Sequence, residues 1–577
     1  MKYRDNHIYE GRKIRDYKEL VSIYKNEHKE HIAFEYKESP SSTEIRKITY
    51  SKFAEDIENM GAKLLHMGIE RACLISPNKY EWYVSYLAVT TAGKIIAPLD
   101  KSLPRDEIVN SIERSDCDAV IYTKKYQEAI DICKENNPKL VTICFEDDFE
   151  NILKEGEALD KTEYNNVKID NKKMTIMLFT SGTTSMSKIV MLSQYAICMD
   201  MYETSTMTKF GYDDVFLSFL PLHHTFESTT TFLFGTMSGL TIALCDGLKY
   251  IQKNMVEYQV TGFVCVPLML EIMYKKIIKN IEKQGKSKIV KILRTLFRHT
   301  SIETRRKIFK DVIDGLGGRL RTIVVGGAAM DKETERGYND FGIDVLVGYG
   351  LTETSPIIAA ENSYSKKVGS VGLPMVDADI KIDNPDKNGD GEIIVKTPTI
   401  MLGYYKNDEA TKEAIVNGYF HTGDVGHIDK DGFLFITGRK KDMIVLKNGK
   451  KIFPEELESL INQLPYVSES MVFGKVENTK NDRNSDVVLW AKVVYDKEKI
   501  KAFEKDENKY YDLILEDIKT KINKQMPAYK YIRDIIIRDS PLIKTTTLKI
   551  KRHEEMKLIN KAWQINKKGV KYNYFTS

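Results

Sequence analysis

The feature that most constrains this chain is one alternation repeated along its N-terminal part: amphipathic stretches separated by short, wholly apolar runs. The first copy reads ITYSKFAEDIENMGAKLLHMGI, ACLIS, YEWYVSYLAVTTAG and IIAPLD, from Ile48 onward. It returns at SIERSDCDAVIYT, at TGFVCVPLMLEIMYKKI, and at LRTIVVGGAAM followed by DKETERGYNDFG and DVLVGYG. Helices of 3.6-residue apolar period, alternating with strands too apolar to face water on either side, predict largely parallel sheets covered by helices. After Pro356 the texture changes: VGSVGLP, DADIKI, NPDKNGDGEIIVK and GFLFITG are short and turn-punctuated, which predicts antiparallel strands. Beyond Gly438, the runs VSESMVFGKV and VVLWAKVVY and the helical YYDLILEDIKTKINKQ predict a small α+β domain. The expected architecture is α/β: a large domain over residues 1–438, built of βα sheets plus a β-rich subdomain, and a small domain over residues 439–577.

Composition narrows the function classes. A chain of 577 residues exceeds one ordinary core, and its hydrophobic fraction of 42% and charged fraction of 29% are those of globular proteins. Lys+Arg of 87 against Asp+Glu of 83 gives +4, with both signs interspersed, which argues against a nucleic-acid or anionic-lipid surface as the main function. The surplus gathers in the C-terminal KTTTLKIKRHEEMK and NKKGVK, read as a solvated basic face. Seven cysteines without a CxxC pair suggest neither a zinc site nor a disulfide framework, so a reducing cytoplasm is expected. The opening MKYRDNHIYEGRK has no apolar core of a signal peptide, and no apolar run is long enough to span a bilayer. A cytoplasmic protein without a transmembrane segment is the expectation, with peripheral membrane contact left open.

The chemistry-bearing stretches are individually weak. LFTSGTTSMSKIVML, from Leu178 to Leu192, sets hydroxyls, one glycine and Lys188 between two apolar runs, so exposed N–H groups and hydroxyls could grip phosphate oxygens. Alone, TSGTT fits an ordinary polar turn between strands equally well. Gly182 and Lys188 have the spacing of a Walker loop, but Ser187 and Ile189 replace its second glycine and its magnesium-binding hydroxyl. YGLTETSP places an aromatic plane, hydroxyls and a carboxylate just after an apolar strand, where open α/β sheets bind ligands. HHTFE lacks the HExxH spacing of a zinc site, and DKNGDGEIIVKT has Thr397 where a calcium loop needs its bidentate Glu. HTGD reads as a turn, and GRKKD and KIKR as solvated charge, when each is taken alone.

Taken in order, TSGTTSMSK, PLHHTFE at 221–227, VVGGAA at 324–329, GYGLTETSP at 348–356, HTGDVGHIDKDGF at 421–433, GRKKDMI at 438–444 and KTTTLKIKR at 544–552 resemble the motif series of the adenylate-forming, AMP-binding superfamily of acyl-CoA synthetases, luciferases and adenylation domains. Within it, ACLISPNKYEWYVSYLAVTTAGKIIAPLD, VPLMLEIMYKKI and TIMLGYYKN are most similar to long-chain fatty acid CoA ligases. The resemblance implies an ATP-dependent carboxylic acid:thiol ligase that uses ATP, Mg²⁺ and coenzyme A, and makes an acyl-AMP with release of pyrophosphate. It implies that Thr180, Ser181, Gly182, Thr183, Thr184 and Lys188 hold the β- and γ-phosphates. Tyr349 would stack on adenine beside Gly327 and Ala328, Thr352 would touch the α-phosphate, and Glu353 would hold Mg²⁺. Asp424 and Arg439 would bind the ribose, and Lys549 would reach the α-phosphate and carboxylate during adenylation. Lys441 would be the hinge of a mobile small domain, and Gly449 would let pantetheine pass. His224 matches a position near the acid and fits a packed histidine pair equally well. This chain departs from the pattern at Ser185, Ser187, Ile189 and Leu548, where glycine, proline, glycine and glycine are usual. Two alternatives therefore stand beside the ligase: an acyl-AMP ligase loading a separate acyl carrier protein, and a nucleotide-binding pseudoenzyme.

Overall fold

The computed structural model of the chain describes residues 6–180, 187–446, 450–477, 486–545 and 549–565. The chain divides into two compact units, one of Met1–Ile380, Val395–His421 and Asp429–Leu434, the other of Lys381–Ile394, Thr422–Ile428 and Phe435–Ser577.

The first unit holds two large sheets. One runs, in spatial order, Gly403–Tyr404, Ile189–Ser193, Met174–Phe179, Ile95–Pro98, Arg71–Ile75, Ala119–Tyr122 and Val141–Cys144. Its strands are parallel from Met174–Phe179 to Val141–Cys144, and the two on the other edge are antiparallel. The other sheet has a parallel centre ordered Asp344–Gly350, Thr322–Val325, Gly262–Cys265, Val215–Ser218, Thr241–Leu244 and Ile32–Tyr36, closed by antiparallel strands at both ends. The βα alternation legible in the sequence is the source of both.

Helix Tyr50–His66 begins where Thr49 Oγ1 accepts from the Lys52 N–H at 3.2 Å, and it buries Phe53, Ile57, Met60 and Leu64 at helical spacing. Helix Tyr80–Thr91 is buried on every side, as its nearly unbroken apolar sequence requires. Its serine and threonine hydroxyls find partners within the helix: Ser85 donates to the Glu81 carbonyl at 2.7 Å and Thr91 to the Leu87 carbonyl at 2.6 Å. Burying Phe53 and Leu87 completely contributes roughly 1.5–3 kcal/mol apiece.

Between Ile357 and Arg439 the chain forms short strands, including Asp379–Asp383, Gly391–Lys396, Tyr419–Ile428 and Leu434–Arg439, the β-rich texture expected after Pro356. HTGD, which reads as a turn in isolation, lies inside the strand Tyr419–Ile428. The second unit has a sheet of Val467–Glu477, Asp486–Tyr495 and Ile532–Arg538, the first pair antiparallel and the second parallel. Helices Pro454–Ile461 and Tyr510–Asp517 cover it through Leu457, Ile461 and Ile514 against Leu489, Val493 and Ile535. Buried Lys492 and Glu555 pair at 2.6 Å, tying the helix Arg552–Ile565 to this sheet.

Candidate active site

The hydroxyl-rich stretch joins an antiparallel hairpin, Met174–Phe179 to Ile189–Ser193, with Phe179 opposite Ile189. Ser181, Gly182, Thr183, Thr184 and Ser185 lie outside the described residues, so the structure speaks for the base of this loop. There the N–H of Thr180 donates to the Lys188 carbonyl at 2.9 Å and its hydroxyl to the same oxygen at 3.3 Å. Arg114, the last residue of helix Arg105–Arg114, donates to the Ser187 carbonyl at 2.5 Å and to its hydroxyl at 3.2 Å, with its guanidinium 5.7 Å from the centre of the Phe179 ring. Of these two bonds only the one to the hydroxyl depends on Ser187 standing in place of the usual proline, which would keep the carbonyl. Ile189 is buried in the regular ladder, where a β-branched side chain is at home.

Lys188 and Glu353 meet through a residue that the sequence reading passed over. The Lys188 ammonium lies 4.5 Å from the centre of the Tyr404 ring, and the Tyr404 hydroxyl donates to Glu353 Oε1 at 2.9 Å. Tyr404 is held there by pairing of Gly403–Tyr404 with the hairpin strand, Tyr404 opposite Val190, and the Met401 N–H donates to the Glu353 carbonyl at 2.8 Å. Burial, then the neighbouring Glu353 charge, raise the Tyr404 pKa far above that of a free phenol, so the hydroxyl stays a donor. Among the described residues, Glu353 Oε2 accepts no hydrogen bond, which leaves an anionic oxygen available to a hard cation.

The neighbouring positions come from the carboxyl ends of two adjacent parallel strands. Thr322–Val325 leads to Gly327 and Ala328, and Asp344–Gly350 carries Tyr349 and runs into the turn Thr352–Thr354. Gly327 has φ +86°, in the left-handed region that favours glycine. At Gly350 a Cβ would sit 1.7 Å from the Pro356 carbonyl oxygen, so only glycine lets the chain double back here. Thr354 Oγ1 donates to that same oxygen at 2.8 Å and accepts from the Leu351 N–H at 3.0 Å, which fixes the turn bearing Thr352 and Glu353.

In PLHHTFE it is His223 that packs into the core, while His224 is half-buried with its ring 4.0 Å from that of His223. Burial and the nearby Lys101 push the His223 pKa down to about 3, so its 3.7 Å approach to Asp100 is a neutral contact near pH 7 rather than an ion pair. Behind it, fully buried Glu227 accepts from Ser218 Oγ at 2.6 Å and from Thr231 Oγ1 at 3.1 Å, and Ser218 is backed by the Tyr83 hydroxyl at 2.8 Å and Asn78 Nδ2 at 3.2 Å. Burial pushes the Glu227 pKa up from 4.5 to about 8. The folded state therefore keeps a proton that the unfolded chain releases above its ordinary pKa, and stability falls as pH rises from 4.5 to about 8. Glu227→Gln is expected to melt increasingly above the parent across that window; a melting-temperature difference that is the same at pH 5 and pH 8 would remove this assignment.

In the second unit Arg439 Nε lies 3.0 Å from Asp424 Oδ1, and the buried Asp424 donates its N–H to Thr422 Oγ1 at 3.0 Å. Lys440 ties this segment down, its N–H to the Gly423 carbonyl and its ammonium to Glu392 Oε2, both at 2.8 Å. Lys441 follows with an exposed side chain, and Gly449 lies outside the described residues. Lys549 is also exposed; its N–H donates to Thr545 Oγ1 at 3.1 Å and its carbonyl accepts from the Thr545 N–H at 2.8 Å, inside a bridge between Lys544 and Ile550. Three residues on, Arg552 is anchored by Glu458 at 2.5 Å and Glu455 at 3.4 Å. Leu548 lies outside the described residues.

Residues 23–405 match the family described as AMP-binding enzyme, and residues 441–562 match the AMP-binding enzyme C-terminal domain. The long-chain-fatty-acid–CoA ligase FadD15 of Mycobacterium bovis is 26% identical over 466 residues, 74% of this chain and 75% of its own length. Long chain acyl-CoA synthetase 1 of Arabidopsis thaliana is 26% identical over 576 residues, 88% of this chain and 86% of its own. Among solved structures, O-succinylbenzoate coenzyme A synthetase (MenE) of Bacillus subtilis, in complex with ATP and magnesium ion, superposes with a TM-score of 0.71 at 20% identity, covering 93% of this chain and 98% of that one.

Proposed function

The chain belongs to the AMP-binding enzyme family, and from that membership we propose that it is an AMP-forming acid–thiol ligase that joins a long-chain fatty acid to coenzyme A through an acyl-AMP. The observation that carries the reading is the junction of Lys188, Tyr404 and Glu353 at the foot of the hydroxyl-rich loop, beside the strand ends that bear Gly327, Tyr349 and Thr352. A cation and an acceptor-only carboxylate oxygen that can hold a metal ion are what adenylyl transfer from a triphosphate requires.

A carboxylate resists attack by a thiol because its leaving group is poor. In the first half-reaction the acid's oxygen attacks the α-phosphorus of ATP, the bond to the bridging β-oxygen breaks, and pyrophosphate departs. Lys188 and the hydroxyl-rich loop would hold the leaving phosphates, Thr352 the α-phosphate, and Lys549 would neutralise charge developing there. Glu353 Oε2 is suited to hold Mg²⁺, which when bound supplies countercharge to the phosphates. Asp424 and Arg439 would take the ribose hydroxyls. In the second half-reaction the thiol sulfur of CoA attacks the acyl carbon and AMP leaves. The C-terminal family match begins at Lys441, which supports a hinge there and a boundary at Gly438 for a domain that withdraws Lys549 and presents Gly449 to pantetheine.

Acid-dependent pyrophosphate release with Mg-ATP, measured across acetate, medium and long fatty acids and aryl acids, tests this. Release with long fatty acids, and the CoA ester by mass when CoA is added, is expected. Release without a CoA product would point to a carrier protein as the acyl acceptor, and silence with every acid, together with tight ATP binding, would make the chain a nucleotide-binding pseudoenzyme.

A further inference from the structure

The near balance of charge over the whole chain conceals one segment. KKIIKNIEKQGKSKIVKILRTLFR, residues 275–298, contains nine Lys or Arg against the single Glu282, so it holds more net positive charge than the +4 of the entire protein. It forms most of helix Pro267–Lys283 and all of helix Ser287–Phe297.

The second helix has two faces. Val290, Leu293 and Phe297 are half-buried, and Arg294 and Arg298 pin that side to the body through Asp340, at 3.1 Å and 2.8 Å. At 3.6 residues per turn, Ile289, Ile292 and Leu296 share the other side, and they are 56%, 58% and 68% exposed. Three large aliphatic side chains in one row are more than scattered surface residues. Lys288, one turn before Ile292, and Lys291 flank the row, and Lys276, Lys279 and Lys283 stand exposed on the preceding helix. None of these five lysines makes an ion pair among the described residues.

We propose that the helix Ser287–Phe297 docks this protein on an anionic lipid surface, with Ile289, Ile292 and Leu296 entering the acyl boundary and the lysines meeting the headgroups. An aliphatic row rimmed by unpaired cations with long apolar stems is what such an interface takes up: each lysine near an anionic leaflet is attracted to its headgroups, and its stem lies along the apolar layer. A second copy set against this face would oppose like charges, and a nucleic acid would engage the lysines but leave the aliphatic row in water. The docking is independent of the ligase reading and is measured without turnover.

The full-length chain is sedimented with phosphatidylcholine vesicles with and without phosphatidylglycerol. Binding at least about tenfold stronger with phosphatidylglycerol, and weakening with salt, is expected. Ile292→Glu with Leu296→Glu, and separately Lys288→Glu with Lys291→Glu, should each reduce that binding about tenfold or more; all four positions are outside the proposed catalytic machinery. Equal binding to both vesicles, or retention of binding in both variant pairs, overturns the proposal. So does duplex DNA that displaces the protein from vesicles at low occupancy, or a dimer in lipid-free solution that Ile292→Glu with Leu296→Glu dissociates.

Discussion

Lys549→Ala is expected to lower acid-dependent pyrophosphate release by about a hundredfold or more, while supplied acyl-AMP is still converted to the CoA ester at close to the parental rate. The magnitude is that of removing one charge aimed at a developing anion in a water-poor site. The asymmetry follows from the chemistry: the ammonium is needed where the carboxylate meets the α-phosphorus, and has no task when sulfur attacks the acyl carbon. The Lys549 side chain is exposed, whereas its backbone is fixed by Thr545 and its neighbourhood by Arg552 on Glu455 and Glu458, so truncation should leave the segment folded. Equal loss of both half-reactions would refute the separate use of two faces of the small domain.

Glu353→Gln should reduce pyrophosphate release by a similar factor and raise the Mg²⁺ concentration needed for half-maximal rate. The amide keeps an oxygen to accept from Tyr404 but loses the negative charge that a hard cation requires. Tyr404→Phe is the companion measurement. It leaves the charge intact and removes only the hydrogen bond that orients it, so a loss of about tenfold is expected, as for a hydrogen bond to a charged group. If Glu353→Gln has the parental Mg²⁺ dependence, Glu353 does not hold the metal, whatever its effect on rate.

Much of the fold was legible before any coordinates. The apolar spacing of Phe53, Ile57, Met60 and Leu64 forecasts one buried helix face, the nearly unbroken apolar run of Tyr80–Thr91 a helix buried all round, and runs such as ACLIS and TIVV strands covered on both sides. The site was legible in its residue types and less so in its connections. Tyr404 sits in a two-residue strand that no periodicity can reveal, and its position depends on pairing with a strand that is distant in sequence. Arg114 has the look of a solvated last-turn cation until its guanidinium is found on Ser187. Ile189, a disquieting replacement for glycine in a list of motifs, is an ordinary buried strand residue once its partner Phe179 is known.

What the sequence determined by itself is therefore local: where helices and strands form, because side-chain period, caps and turn residues act on neighbouring backbone, and which hydroxyls, carboxylates and lysines are present to meet a phosphate. What only the tertiary structure decided is adjacency. Whether Lys188 meets Glu353, whether His223 or His224 enters the core, and whether Ile289, Ile292 and Leu296 face the body or the solvent depend on which strands pair and which helix side is pinned. Those choices are made by packing over the whole unit, so no single stretch of the chain encodes them.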